Sequence, residues 1–178
     1  MVIATPLHDR ETASKSSVTA KQLVDIWSSL PNDYSEAQLC PHLVSKIFEH
    51  LGYDHHQVKI QNNIGIAAAL KPDYLIYADP SQPPVLVVEL KKREPALATV
   101  SDPNFVKSCE DHSLYRDAVG LTNNPKNNGI LQYLDITKVK PECLASYGLV
   151  FNGDFFQLWR RVDGLIIPMT TIKGVTKT

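Results

Sequence analysis

Three residues carry chemistry by type and spacing: Asp73, Glu89 and Lys91. Asp73 opens an apolar stretch, Pro72-Asp73-Tyr74-Leu75-Ile76-Tyr77, and Glu89 and Lys91 close the next, Val85-Leu86-Val87-Val88-Glu89-Leu90-Lys91. Charged groups at the mouth of a buried sheet are costly unless they are paired or bind a metal. Glu89 and Lys91 are two residues apart, so on a strand they share a face at a spacing of roughly 7 Å. Asp73 comes within reach if the two strands pair as a hairpin. Two carboxylates, helped by the Leu90 backbone carbonyl, offer hard oxygen ligands to Mg²⁺. Lys91 then orients or deprotonates an attacking water, or stabilises charge in the transition state. Together these groups are the minimum needed for metal-assisted phosphodiester cleavage. The plainer alternative is a solvated strand end with ordinary charges.

Other residues bear on the same chemistry. Glu36 lies at the start of a helix whose Cys40, Leu43 and Ile47 follow at i+4, i+7 and i+11, so it extends that apolar stripe. It is either a first-turn carboxylate favoured by the helix dipole or a third acid turned toward the metal. Gln132 offers an amide for a phosphate or a water. Lys71, Lys92 and Arg93 flank the acids and could meet a nucleic-acid backbone, although Glu94 partly cancels them. His55-His56 reads as a surface turn. No serine stands in a G-x-S-x-G context and no glycine-rich phosphate loop occurs, which removes serine-hydrolase and nucleotide-binding readings.

The elements that must position these groups follow from periodicity. Residues 1–16 are polar and expected to be flexible, and residues 17–178 are expected to form one domain. Thr19 and Gln22 form a capping-box pair ahead of Leu23, Ile26, Trp27 and Leu30, and Pro31 stops that helix. Ser35 caps a second helix carrying Leu39, Leu43, Val44, Ile47, Phe48 and Leu51 and ending at Gly52; Pro41 should kink it or mark the start of its regular part. Strands are expected over 57–62, 72–78 and 85–91, the last buried on both faces and so covered by helices. Asp102-Pro103 opens a helix toward Val119, and the polar loop Thr122 to Asn128 leads to a short helix near 129–138. Asn152-Gly153, between Tyr147–Phe151 and Phe155–Arg161, reads as a type I′ hairpin turn, and Asp163-Gly164 offers another before Leu165–Ile167. The order αα-βββ-αα-βββ describes an α/β fold with helices on both sides of a mixed sheet.

Bulk properties narrow the function. A net charge of −1 and a sequence pI of about 6.6 argue against a tight nucleic-acid binder that is basic all round. Cys40, Cys109 and Cys143 are widely spaced and form no ligand cluster, which suggests a reducing compartment and no structural zinc. No leader or membrane-spanning run is evident, so a cytoplasmic protein without membrane partners is expected.

With these pieces in place, the chain resembles the PD-(D/E)xK nuclease superfamily, and within it the nuclease domain at the N-terminus of type I restriction enzyme R subunits. The resemblance spans roughly residues 34–165. It rests on Ser35-Glu36 opening a helix that runs into Leu51-Gly52-Tyr53, on Pro72-Asp73-Tyr74, on Val88-Glu89-Leu90-Lys91, and on Gly148-Leu-Val-Phe-Asn-Gly153 followed by Leu158-Trp159. It implies a restriction-endonuclease-like αβββαβ core with a C-terminal β-hairpin. It also implies Asp73 and Glu89 as ligands of Mg²⁺ (or Mn²⁺), Lys91 as catalytic lysine, and Glu36 as the helix-one acid. The family's Q-x-x-x-Y element is half present: Gln132 is there, but position 136 is Ile. The implied activity is endonucleolytic cleavage of DNA. No helicase-motor motif accompanies it, so a homodimer or a separate targeting or motor protein is expected to bring the substrate. The alternatives are a catalytically silent nuclease-fold module that binds DNA or a protein, and acids that merely form a structural ion-pair network.

Overall fold

The computed structural model describes residues 18–31, 34–91, 129–152 and 155–173. Helix α1 (Ala20–Ser29) begins as the sequence predicts. The Thr19 hydroxyl accepts the Gln22 N–H, and the Gln22 side chain accepts the Thr19 N–H at 2.7 Å. The second helix forms in three pieces: α2 (Glu36–Leu39), a π-helical turn (Cys40–Val44) and α3 (Ser45–His50). The wide turn contains Pro41. A proline has no N–H for the helical ladder, and a π-bulge is one way a helix continues past such a break. Gly52, with φ +87, ends α3: the Tyr53 N–H bonds to the Phe48 carbonyl and the Gly52 N–H to the Glu49 carbonyl. That pair of bonds is a Schellman stop, which needs a residue that tolerates positive φ.

Six strands follow: β1 (Val58–Ile60), β2 (Tyr74–Ile76), β3 (Leu86–Leu90), β4 (Tyr147–Phe151), β5 (Phe155–Val162) and β6 (Leu165–Lys173). They form one sheet in sequential order, with every pair antiparallel except β3–β4. A parallel neighbour requires a crossover, and the chain between Leu90 and Tyr147 includes helix α4 (Ile130–Tyr133). The molecule is thus a mixed α/β fold whose six-stranded sheet is flanked by helices.

Alternation along the strands builds a core on each face. Leu75, Tyr77, Val87, Val150 and Trp159 pack with Ile130 and Tyr133 of α4 and with Leu134 just after it. Tyr74, Ile76, Val88, Leu90 and Phe151 pack on the other face with Leu39, Leu43, Val44 and Phe48. Of the apolar run Val85 to Val88, Val87 and Val88 are buried while Val85 and Leu86 are half-buried, and burial continues through Glu89 and Leu90. Gly148 sets the height of α4 above the sheet, because a Cβ there would lie 2.7 Å from Ile130 Cγ2.

Two expectations need correction. A two-residue turn at Asn152-Gly153 does not fit the register, which pairs Phe151 with Phe156 and leaves four residues between them; Gly153 itself lies outside the described residues. Asn152 is fully buried and its carbonyl accepts the Tyr34 hydroxyl, so it is anchored rather than placed at a tip. The second expected turn does form, with I′ geometry at Asp163 (φ 49) and Gly164 (φ 80), between paired Val162 and Leu165. The helix expected near 129–138 stops at Tyr133. Asp135 Oδ1 accepts both the Thr137 N–H and hydroxyl, turning the chain so that Val139 bridges to Gly65. The helix from Asp102, the loop 122–128, and Lys92 and Arg93 lie outside the described residues, as does the segment 1–16.

Candidate active site

Strand β2 is short because Pro72 precedes it. Continuing the β2–β3 register by one step sets Asp73 opposite Glu89, and by two steps sets Pro72 opposite Leu90. Pro72 has no N–H to give the Leu90 carbonyl. The Leu90 N–H is taken by a side chain instead: it donates to Asp73 Oδ2 at 2.7 Å. In a strand a residue's N–H and C=O project to the same side, so the Leu90 carbonyl also points toward Asp73. One edge of this sheet end therefore gathers a carboxylate and a backbone carbonyl by local geometry alone.

Glu89 and Lys91 share the face of Leu75, Val87 and Val150 by strand alternation. Lys91 Nζ lies 2.8 Å from Glu89 Oε1, with the Glu89 side chain only 9% and that of Lys91 17% exposed. Glu36 arrives from the helix layer on the opposite face. The apolar stripe Leu39-Leu43-Val44-Phe48 seats its helix, and the Tyr34 hydroxyl bond to Asn152 fixes the chain just before it beside the end of β4. Glu36 Oε1 then reaches 3.9 Å from Lys91 Nζ, its side chain half-exposed rather than continuing the buried stripe. Asp73, Glu89, Lys91 and Glu36 thus converge at one sheet end.

Gln132 is placed differently. Its side-chain oxygen accepts the Gly129 N–H at 2.9 Å, which caps α4. The next residue, Tyr133, is the one that faces the acids: its hydroxyl donates to the Lys71 carbonyl at 3.4 Å and lies close enough to Glu89 and Asp73 to feel their charge. The Lys71 side chain is exposed at the rim.

Electrostatics follow from this crowding. Burial pushes the Asp73 carboxyl above its ordinary range, a rise moderated by the Leu90 N–H and the Lys91 ammonium. Burial is also the main reason Glu89 is raised to about 8, with Asp73 and Glu36 adding repulsion and Lys91 opposing it. For Lys91, burial favours the neutral amine, but the Glu89, Glu36 and Asp73 carboxylates outweigh it and hold the proton more tightly than usual. Burial and the nearby acids also push the Tyr133 hydroxyl up, so it stays protonated and can donate. Glu89 and Lys91 titrate as a pair. The site has more negative charge than Lys91 alone offsets, and a further cation would relieve it.

Among the described residues no group of three or more His, Cys, Asp or Glu side chains is arranged to hold a metal ion. The oxygen donors at hand are the two carboxylates of Asp73 and Glu89 and the Leu90 carbonyl. Mg²⁺ is commonly held by one or two carboxylates while keeping several waters, so the donor chemistry fits it without a third acid.

The sequence reading did not single out Tyr133 or Gln157. Gln157, on β5, is fully buried. Its signal was parity: it shares a face with Trp159, two residues on, and so had to point inward. No family model, curated protein or solved structure matches this chain.

Proposed function

We propose that this protein is a Mg²⁺- or Mn²⁺-dependent endonuclease with a restriction-endonuclease-like fold, hydrolysing DNA phosphodiester bonds. One observation carries the reading: Asp73, Glu89 and Lys91, from two adjacent strands, meet on one face at one sheet end. The sheet order and the parallel β3–β4 pair support the αβββαβ core that the resemblance implies.

In this reading Asp73, Glu89 and the Leu90 carbonyl hold the cation, which when bound supplies Lewis-acid stabilisation of the phosphate and a more acidic water. The Lys91 ammonium moves from Glu89 to the scissile phosphate and offsets charge that develops on its oxygens. Tyr133 keeps Glu89 oriented, and Glu36 holds Lys91 from the solvent side. A water oxygen forms the new bond to phosphorus as the water releases a proton to solvent, the P–O3′ bond breaks, and the leaving oxygen takes a proton from solvent, giving a 3′-hydroxyl and a 5′-phosphate. With a net charge of −1, a lone copy binds DNA weakly, and a second copy or a targeting or motor protein supplies the rest.

A second reading is favoured by the closed Lys91–Glu89 pair and the absence of a three-acid group among the described residues. In it the fold is a catalytically silent module that binds DNA or a protein. Plasmid nicking separates the two. The enzyme reading requires cleavage with Mg²⁺ or Mn²⁺ that disappears in Asp73→Ala, Glu89→Ala and Lys91→Ala. Purified protein that leaves plasmid, linear and single-stranded DNA intact with either metal supports the silent module.

A further inference from the structure

The strand register lays a row of side chains across the sheet at the level of the acids. Glu89 pairs with Val150, and Val150 pairs with Gln157. Paired residues point to the same face, so Gln157 stands on the face of Glu89 with Val150 between them. Two strand spacings separate their backbones by roughly 10 Å. Val150 is short, while glutamate and glutamine both reach over it.

Gln157 has no solvent exposure, and neither its Nε2 nor its Oε1 has a hydrogen-bond partner among the described residues. The indole N–H of Trp159, on the same face, is unpartnered as well. Buried amides are almost always satisfied, because each unmade bond forfeits the whole desolvation cost. A hydrophobic residue of the same size would fill this place without that cost. The occupant that satisfies the amide must both donate to Oε1 and accept from Nε2. A water molecule does both, whereas a phosphate oxygen or a metal ion does only one.

We propose that Gln157 is a positioning residue for the site, holding the Glu89 carboxylate through one bridging water that lies over Val150. This rests on the reading of Glu89 as a site carboxylate. It supplies from β5 the amide that sequence alone sought at Gln132, whose oxygen caps a helix. Water-mediated contacts of this kind are nearly as favourable as direct ones and fix the rotamer of a carboxylate.

The test combines crystal structures of the full chain, wild type and Gln157→Met, with the kinetics of Mg²⁺-dependent plasmid cleavage. The wild-type map should show an ordered water within hydrogen-bond distance of both the Gln157 amide and a Glu89 oxygen. Gln157→Met should stay folded, since it keeps the side-chain volume in the core. Its kcat should nevertheless fall about 10- to 100-fold with KM unchanged, the usual scale for an outer-shell partner. If Gln157→Met does not fold, Gln157→Leu and the wild-type map decide. A wild-type map with apolar contact and no water between the two side chains overturns the proposal, as does an unchanged kcat in a stable variant. If wild-type protein cleaves no DNA with either metal, the nuclease reading fails, and the map alone still decides for or against the bridge.

Discussion

Glu89 is the residue on which the chemistry turns, because its surroundings favour a proton or a cation over a bare carboxylate. Its folded carboxyl is raised from 4.5 to about 8, chiefly by burial. Between those values the folded chain holds a proton that the unfolded chain has released, so this group's contribution is full below the lower value and is lost as pH rises through the upper one. Without divalent metal, urea unfolding should therefore give lower stability at pH 8 than at pH 5, by an amount on the order of a few kcal/mol, part of it offset by Lys91. Glu89→Gln should flatten that dependence; a slope unchanged in the variant would place its origin elsewhere. Lys91→Ala leaves a buried carboxylate without its ammonium, and at pH 8 should cost about 3 kcal/mol in metal-free urea unfolding. A loss under 1 kcal/mol would mean that the pair is effectively solvent-screened.

At the scale of elements, the site depends on how closely α4 approaches β4. Gly148→Ala would place a Cβ 2.7 Å from Ile130 Cγ2, so α4 must rise and carry Tyr133 away from Glu89. Overpacking of this sort should cost about 1–3 kcal/mol of stability. Cleavage should fall further than in Tyr133→Phe, which loses only the hydroxyl. Gly164→Ala is the matched control. It strains a residue at φ +80 in the far turn, should cost about 1 kcal/mol, and should leave cleavage per folded molecule unchanged.

The same elements show what could be read from sequence. Asp73, Glu89 and Lys91 were legible because strand alternation and a hairpin are local rules. The capping box at Thr19 and the burial of Val87 and Val88 were legible for the same reason. Asn152-Gly153 misled because Asn-Gly is a turn signal whose use depends on register, and the Phe151–Phe156 pairing leaves four residues there, the first of them the buried Asn152. Tyr133 was not singled out because it lies one position along from Gln132, whose side-chain oxygen caps that short helix. Gln157 was hidden in plain alternation: its parity was visible, but the row through Val150 to Glu89 exists only once β3, β4 and β5 are aligned.

For the whole molecule, the charge balance sets how the site meets its substrate. With 18 basic against 19 acidic residues, no general attraction to DNA is available, and the acids at the sheet end repel phosphate further. Binding to plain duplex DNA by a lone copy should be weak at physiological salt and should strengthen when Mg²⁺ is present. The central claim is that Asp73 and Glu89 jointly hold a divalent cation. Its most direct measurement is a Mn²⁺ titration followed by electron paramagnetic resonance, on wild type and on Asp73→Asn/Glu89→Gln. Asparagine keeps an oxygen for the Leu90 N–H and glutamine keeps the side-chain volume, so the double variant should remain folded. The prediction is saturable Mn²⁺ binding in wild type that weakens at least about 10-fold in the double variant. Equal binding in the two proteins, or none in wild type, would contradict it.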